Sequence, residues 1–161
     1  MSEIERIADQ LRREYDGDPW HGSPLKSILD GVTAEQASAR IAPSVHSIWE
    51  LVLHVAAWKG EVRRRLTGVP AAEPAEGDWP ATEPHTPERW NDALAKLQQV
   101  HQELVAEVRR LPESKLFMAT HDQRDPALGT GVSYYELLHG IVQHDVYHSG
   151  QIALLKKALQ S

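Results

Sequence analysis

Apolar residues recur at helical spacing in four long stretches of the chain. The pattern i, i+3, i+4, i+7 places such residues along one face of a helix, which is the face that packs against a core. The predicted helices cover residues 3–16, 47–67, 87–111 and 133–159. A capping residue that can accept a hydrogen bond from the first helical turn lies at or just before the start of each of them. These residues are Ser2, Ser47, Thr86 and Ser133.

Three long connections separate the predicted helices. The first, residues 17–46, is expected to contain short helical turns that begin near Ser23 and at Thr33. The second, residues 68–86, contains four prolines and is expected to be extended. The third, residues 112–132, carries apolar residues that we expect to fold back onto the helices, namely Leu116, Phe117 and Met118. The fold class is therefore all-α, a four-helix bundle with long crossover connections.

Composition and charge limit the number of domains, the available chemistry and the partners of the chain. A length of 161 residues indicates a single domain that spans residues 1–161. The absence of cysteine excludes disulfides, zinc–thiolate sites and a nucleophilic thiol of the protein's own. A net charge of −6 argues against a nucleic-acid partner. We expect no membrane span and no secretory signal, and hence a cytoplasmic protein, because no long apolar run occurs.

Two histidines stand where the fourth helix should present leucine to the core. His144 and His148 lie on the apolar face, one turn apart, so their rings are neighbours. Two imidazoles at this spacing suit one metal ion bound at about 2.0–2.1 Å from each nitrogen. Each buried ring nitrogen without a partner costs about 1–3 kcal/mol, and a shared cation satisfies two of them. The pair therefore favours metal binding over two separate core histidines.

His54 is the candidate third ligand. It lies at the edge of the apolar face of the second helix, next to Trp58, and so points at a seam between helices. Metal ions in bundle cores are held from facing helices, although a single inner histidine is more often a hydrogen-bonded core residue, which is the favoured interpretation of His54 taken alone. His101 is a fourth ligand, a hydrogen-bond partner of a ligand or, in the better interpretation, a packed core histidine. His46 is a candidate for the mouth of the site.

Other polar residues are weaker candidates for the metal site. Gln151, one turn after His148, either holds a ligand or is a helix-edge residue, and we favour the second interpretation slightly. His139 is expected to face solvent, since it lies opposite the apolar face. Glu61 lies about 10 Å along the helix from His54, which is too far for both to bind one ion.

The sequence matches two catalytic motifs only in part, and neither match is sufficient for the corresponding function. The segment from His144 to His148 differs from the zincin motif His-Glu-x-x-His by Asp145, whose side chain is one methylene shorter and lies near the apolar face. Glu136 and His139 match one half of a di-iron site, but such a site needs a second copy of the motif. Neither a peptidase nor a di-iron protein is expected.

Tryptophans and glycines give further expectations. Trp49 is off the apolar face, so it is expected under the first connection or in a subunit interface, while Trp20 and Trp79 lie in loops and could line a pocket. Gly140 and Gly150 interrupt the fourth helix at a cost of about 1 kcal/mol each. We interpret these glycines as points of close helix–helix approach, within the chain or across a dimer.

Two segments resemble the DinB-like superfamily, the YfiT-type helical bundle proteins. They are residues 47–58, SIWELVLHVAAW, and residues 139–152, HGIVQHDVYHSGQI. The resemblance extends over nearly the whole chain and implies a four-helix bundle that is often dimeric. It also implies a divalent metal ion, zinc or nickel foremost, held by three histidines that map to His54, His144 and His148.

The resemblance also implies a class of function. The family includes enzymes that transfer low-molecular-weight thiols such as bacillithiol or mycothiol to electrophiles, or that isomerise maleylpyruvate with the help of a thiol. The first hypothesis is therefore a divalent-metal-dependent enzyme, a thiol S-transferase or a hydrolase, that acts on a small molecule and has open coordination positions. The alternative is a non-catalytic, metal- or ligand-binding bundle that forms a homodimer.

Overall fold

The computed structural model describes residues 1–160, and within them the chain is all-helical, as predicted. Six α-helices form in chain order: α1 (Glu3–Tyr15), α2 (Leu25–Leu29), α3 (Ala34–Ser38), α4 (Ile48–Leu66), α5 (Pro87–Arg110) and α6 (Tyr134–Gln160). The four long helices match the predicted ones to within two residues, and the two short helices lie where turns were expected. Among residues 1–160 none of the helices is long and apolar enough to cross a membrane.

The predicted capping residues open the long helices. Ser47 accepts a hydrogen bond from the backbone N–H of Glu50, whose carboxylate accepts one from the backbone N–H of Ser47. Ser133 and Glu136 form the same reciprocal pair at the start of α6. Each pair satisfies two backbone donors that the first helical turn would otherwise leave free. The start of each helix is thus fixed locally.

The four long helices form a ring. Helix α4 packs against α5 and α6, and α1 packs against the same two helices. Helices α1 and α4 therefore occupy opposite corners of the bundle. The short helices close its sides, with α2 packed on α6 and α3 packed on α4.

A buried polar layer divides the core into two apolar clusters. The first cluster contains side chains from α2, α3 and the first half of α4. The second contains side chains from most of α1 and from the first half of α6. Each long helix passes from one cluster to the other through a buried polar side chain. These side chains are Glu14, Lys59, His101 and Asp145.

The third connection differs in part from the prediction. Leu116 is fully buried, as expected, but Phe117 is 74% exposed and Met118 is 46% exposed. The carbonyl oxygens of Leu116 and Met118 accept hydrogen bonds from the backbone N–H groups of Tyr135 and Tyr134. The segment is thus attached to the start of α6 by its backbone, and the two following side chains remain outside the core. Their predicted packing was wrong.

Candidate metal centre

Three imidazole rings from facing helices meet at one side of the bundle. His54 comes from α4, and His144 and His148 come from consecutive turns of α6. One nitrogen from each ring lies within 4.8 Å of the others, so the group could hold a metal ion. The Nε2 atoms of His54 and His144 are 3.0 Å apart. The structure therefore brings together the three residues that were predicted as ligands.

The other nitrogen of two rings is held by an uncharged acceptor. Nδ1 of His54 lies 2.7 Å from the backbone carbonyl oxygen of Asp78, and Nδ1 of His148 lies 2.7 Å from Oε1 of Gln151. Because both oxygens accept, each Nδ1 carries the proton and each Nε2 is left with a free lone pair. Partners of this kind orient histidine ligands in metal proteins. Gln151 therefore contacts a candidate ligand, a role that neither interpretation of this residue predicted.

The third ring is oriented by a carboxylate. Nδ1 of His144 lies 3.3 Å from Oδ1 of the fully buried Asp145. With a proton on Nδ1, the lone pair of His144 Nε2 faces that of His54 Nε2 at 3.0 Å. Two facing lone pairs repel unless a positive charge, a proton or a metal cation, lies between them. Two nitrogens bound at about 2.1 Å to one tetrahedral ion are roughly 3.4 Å apart, so the donor set fits a cation.

Burial keeps two of the rings neutral. Burial lowers the pKa of His148 to about 4 and also lowers the pKa of His54 below its ordinary value of 6.5. Neighbouring histidines lower both pKa values further, since each would repel a second imidazolium. A metal ligand must be unprotonated on the coordinating nitrogen. Both rings are in that form at neutral pH.

Trp79 from the extended second connection covers the site. Its ring stacks on His54 with centroids 4.0 Å apart and on His46 with centroids 3.5 Å apart. Asp78, the residue before it, accepts a hydrogen bond from the indole N–H of Trp58 at 2.7 Å. The connection is thus fixed to α4 at the point where it covers the histidines. Trp79 and His46 line the site, as their positions in the sequence allowed.

Lys59 links the site to the centre of the bundle. Its ammonium nitrogen lies 2.5 Å from Oδ2 of Asp145, 3.3 Å from Nδ1 of His101 and 3.8 Å from Oε2 of Glu14. Lys59 belongs to α4, and its three partners belong to the three other long helices. Since Asp145 also contacts His144, one buried carboxylate connects the lysine to the imidazole cluster.

The charges of this layer are coupled. Burial alone would raise the pKa of Asp145, but Lys59 lowers it below the ordinary value, so this carboxylate is ionised. Burial and the charge of Asp145 raise the pKa of Glu14 to about 7. Burial, together with the charge of Lys59, lowers the pKa of His101 to about 3. At neutral pH the layer therefore combines the ionised Asp145, the ammonium group of Lys59, the neutral imidazole of His101 and a Glu14 carboxyl group that is near its pKa.

Several predicted residues lie elsewhere. His101 is a packed core histidine, as favoured, and it stacks on Tyr15 with ring centroids 4.2 Å apart. His139 is half-buried against Tyr135, so the solvent-facing expectation was wrong. Glu61 forms ion pairs with Arg65 and Arg64 on its own helix and lies outside the histidine group.

The tryptophan and glycine expectations are corrected in part. Trp20 is fully exposed. Trp49 is buried in the apolar cluster that includes side chains of the first connection, and it also packs against Trp90 with ring centroids 5.2 Å apart. A Cβ atom added at Gly140 or Gly150 would meet no atom within 4 Å. Close helix–helix approach within the chain was therefore the wrong explanation for these glycines.

The polar layer was not predicted, although the sequence contains a signal for it. Glu14 follows Leu11 by three residues on the apolar face of α1, and Lys59 follows Val55 by four on that of α4. A charged residue at the next position of an apolar helical face indicates a buried partner, because an unpaired charge in a core is very costly. Two such charges of opposite sign predict that the two side chains meet in the core.

Comparisons with known proteins agree with this architecture. The family model described as the DinB superfamily matches residues 20–152, a range that includes all three histidines. No curated protein and no solved structure gives a significant match to the chain.

Proposed function

This chain belongs to the DinB superfamily, and on that premise we propose that it is a divalent-metal-dependent enzyme whose ion is held by His54, His144 and His148. The observation that carries the proposal is the arrangement of the three rings. In each ring Nδ1 has an acceptor, and Nε2 of His54 and Nε2 of His144 face each other at 3.0 Å.

The size of the ligand set supports catalysis over a purely structural role. The candidate group in residues 1–160 contains three histidines and no fourth member. Structural zinc sites have four protein ligands, whereas catalytic sites have three and leave a position open. Imidazole ligands suit zinc and nickel, the two ions that we propose.

Thiol transfer is the reaction class we propose first, with hydrolysis second. When bound, a divalent ion lowers the pKa of a thiol or a water molecule, so that either becomes a nucleophile at neutral pH. The chain has no cysteine, so the thiol would come from a low-molecular-weight cosubstrate. Asp78, Gln151 and Asp145 fix the ring orientations, and Trp79 keeps water from one face of His54.

Metal content is the first test. Protein purified without an affinity tag should contain about one divalent ion per chain, and added ion should raise the melting temperature of chelator-treated protein. His148→Ala should lose both effects. His85→Ala is the matched control, because His85 is exposed in the second connection and lies outside the histidine group. Substoichiometric metal with no stabilisation would favour the non-catalytic bundle.

Activity is the second test. Cysteine, N-acetylcysteine and cysteamine should each react faster with 1-chloro-2,4-dinitrobenzene in the presence of the metal-loaded protein, and a chelator should remove the acceleration. Hydrolysis of p-nitrophenyl acetate under the same conditions tests the second reaction class. Rates that are indifferent to the chelator and to His148→Ala would contradict an enzymatic role for the site.

A further inference from the structure

A cavity of about 360 Å³ lies beside the imidazole cluster, between α4, α6 and the loop that precedes α6. His144 borders both the cavity and the cluster. The size falls within the range of small-molecule sites. A molecule that fills this cavity therefore reaches a side chain of the candidate metal centre.

The walls of the cavity are mainly apolar. Side chains from both helices and from the loop form them, and the indole ring of Trp58 lies among them. The apolar lining residues are Trp58, Val62, Leu128, Val132, Leu137 and Ile141. Such a surface binds an apolar group by removing both from water.

The two charged residues at the cavity are already paired. Arg65 donates to the carboxylate of Glu61 at 2.9 Å and to the carbonyl oxygen of Leu128 at 2.8 Å. Glu136 accepts from both the backbone N–H and the hydroxyl of Ser133 at the start of α6. Neither Arg65 nor Glu136 is therefore a free ion-pair partner for a charged group, which would lose its hydration on entering the cavity, and this loss is unfavourable.

Gly140 keeps the cavity open. It lies on the cavity wall one turn before His144, and a Cβ atom added to it would meet no atom within 4 Å. Glycine in a helix interior is unfavourable relative to alanine, so the residue weakens α6 without a packing reason inside the chain. A side chain at this position would enter the space beside His144.

We propose that this cavity binds the uncharged, apolar part of the substrate, an aromatic ring or a short alkyl chain, next to the metal centre. The inference rests on the proposed function for its link to catalysis, but the binding itself needs no metal. It assigns the apolar group to the electrophilic substrate, since a low-molecular-weight thiol has little apolar surface to bury.

Binding of three probes of similar size tests the proposal. Benzyl alcohol, benzoate and benzylammonium are titrated into chelator-treated protein, with NMR shifts of α6 amides as the readout. Removing the metal prevents benzoate from binding as a ligand of the ion. Benzyl alcohol should bind at least about tenfold more tightly than either charged probe, because burial without a partner disfavours the charged groups. Equal or tighter binding of a charged probe would overturn the proposal.

Two glycine variants locate the binding. Gly140→Leu should abolish binding of benzyl alcohol, whereas Gly150→Leu, at an equally open glycine of the same helix but outside this cavity, should leave it unchanged. Both variants should raise the melting temperature, since each replaces a helical glycine. Unchanged probe binding in folded Gly140→Leu protein would overturn the proposal, whether or not the oligomeric state changes.

The metal measurement separates this inference from the proposed function. Gly140→Leu should retain the metal stoichiometry of the unsubstituted chain, because the residue holds no ligand. If the purified unsubstituted protein contains no metal, the proposed function is contradicted, whereas the binding of benzyl alcohol still tests the cavity proposal. Metal retained without any binding of benzyl alcohol would contradict the cavity proposal alone.

Discussion

The ammonium nitrogen of Lys59 lies 2.5 Å from Oδ2 of Asp145, and neither side chain is exposed to solvent. This ion pair crosses from α4 to α6 at the centre of the bundle. Burying two charges is costly, and the geometry offsets that cost only while both partners are present.

Lys59→Met should therefore destabilise the protein by about 3–5 kcal/mol, because it leaves Asp145 buried without a cation. Urea unfolding followed by circular dichroism measures the change. Lys96→Met is the matched control, since Lys96 pairs with Glu76 at the exposed surface and its loss should cost only about 0–1 kcal/mol. A second substitution, Asp145→Asn, should restore part of the stability to Lys59→Met, and no recovery would contradict the assigned pairing.

Gln151→Leu should weaken metal binding by about 10–100-fold without changing the ligands themselves, because His148 loses the acceptor that orients its ring. A competition titration against a chromophoric chelator gives the affinity. Gln143→Leu serves as the control, since Gln143 is exposed on the same helix. If both variants bind metal as the unsubstituted chain does, the orientation of His148 does not depend on Gln151.

Glu14 should make stability depend on pH. Its pKa is about 7 in the folded protein and 4.5 in the unfolded chain, so the folded state binds the extra proton between these values. Its contribution is therefore complete below pH 4.5 and is lost as the pH rises towards 7. Glu14→Gln should flatten this part of the profile of unfolding free energy against pH. Glu35→Gln, at an exposed position, should not, and a fall that persists in Glu14→Gln would contradict the assignment.

Trp79 should report on the metal centre, because its ring stacks on His54 at 4.0 Å. Added Cu²⁺ or Ni²⁺ should quench tryptophan fluorescence, and Trp79→Phe should remove a large share of the quenching. Trp20→Phe should not, since Trp20 is fully exposed. Equal quenching in both variants would place the bound ion away from the histidine cluster.

The sequence predicted the helices and the histidine cluster because both depend on local patterns. Apolar spacing and capping pairs such as Ser47 with Glu50 act within one or two helical turns. His144 and His148 are joined by the same short spacing, and only His54 required an assumption about which helices face each other. The metal-binding role of these three residues stays a prediction.

The rest of the site depends on contacts between distant parts of the chain. Trp79 reaches His54 from an extended connection whose path no helical period describes. The acceptor for His54 is the backbone carbonyl oxygen of Asp78, a group that every residue has and that sequence therefore cannot single out. The cavity beside His144 likewise exists only after the loop before α6 has folded against two helices.

The polar layer between the two apolar clusters has a consequence for how the helices align. If one helix slid by a single turn, about 5.4 Å, its charged group would enter an apolar cluster and leave its partners unpaired. We therefore expect the polar layer to fix the axial position of each long helix relative to the other three. In a variant with apolar residues in place of the whole layer, the urea concentration at the unfolding midpoint should be higher; the replaced residues are Glu14, Lys59, His101 and Asp145. Its NMR spectrum should nevertheless show doubled amide resonances, because the helices could then pack in more than one axial position. A single set of amide resonances would contradict this role of the layer.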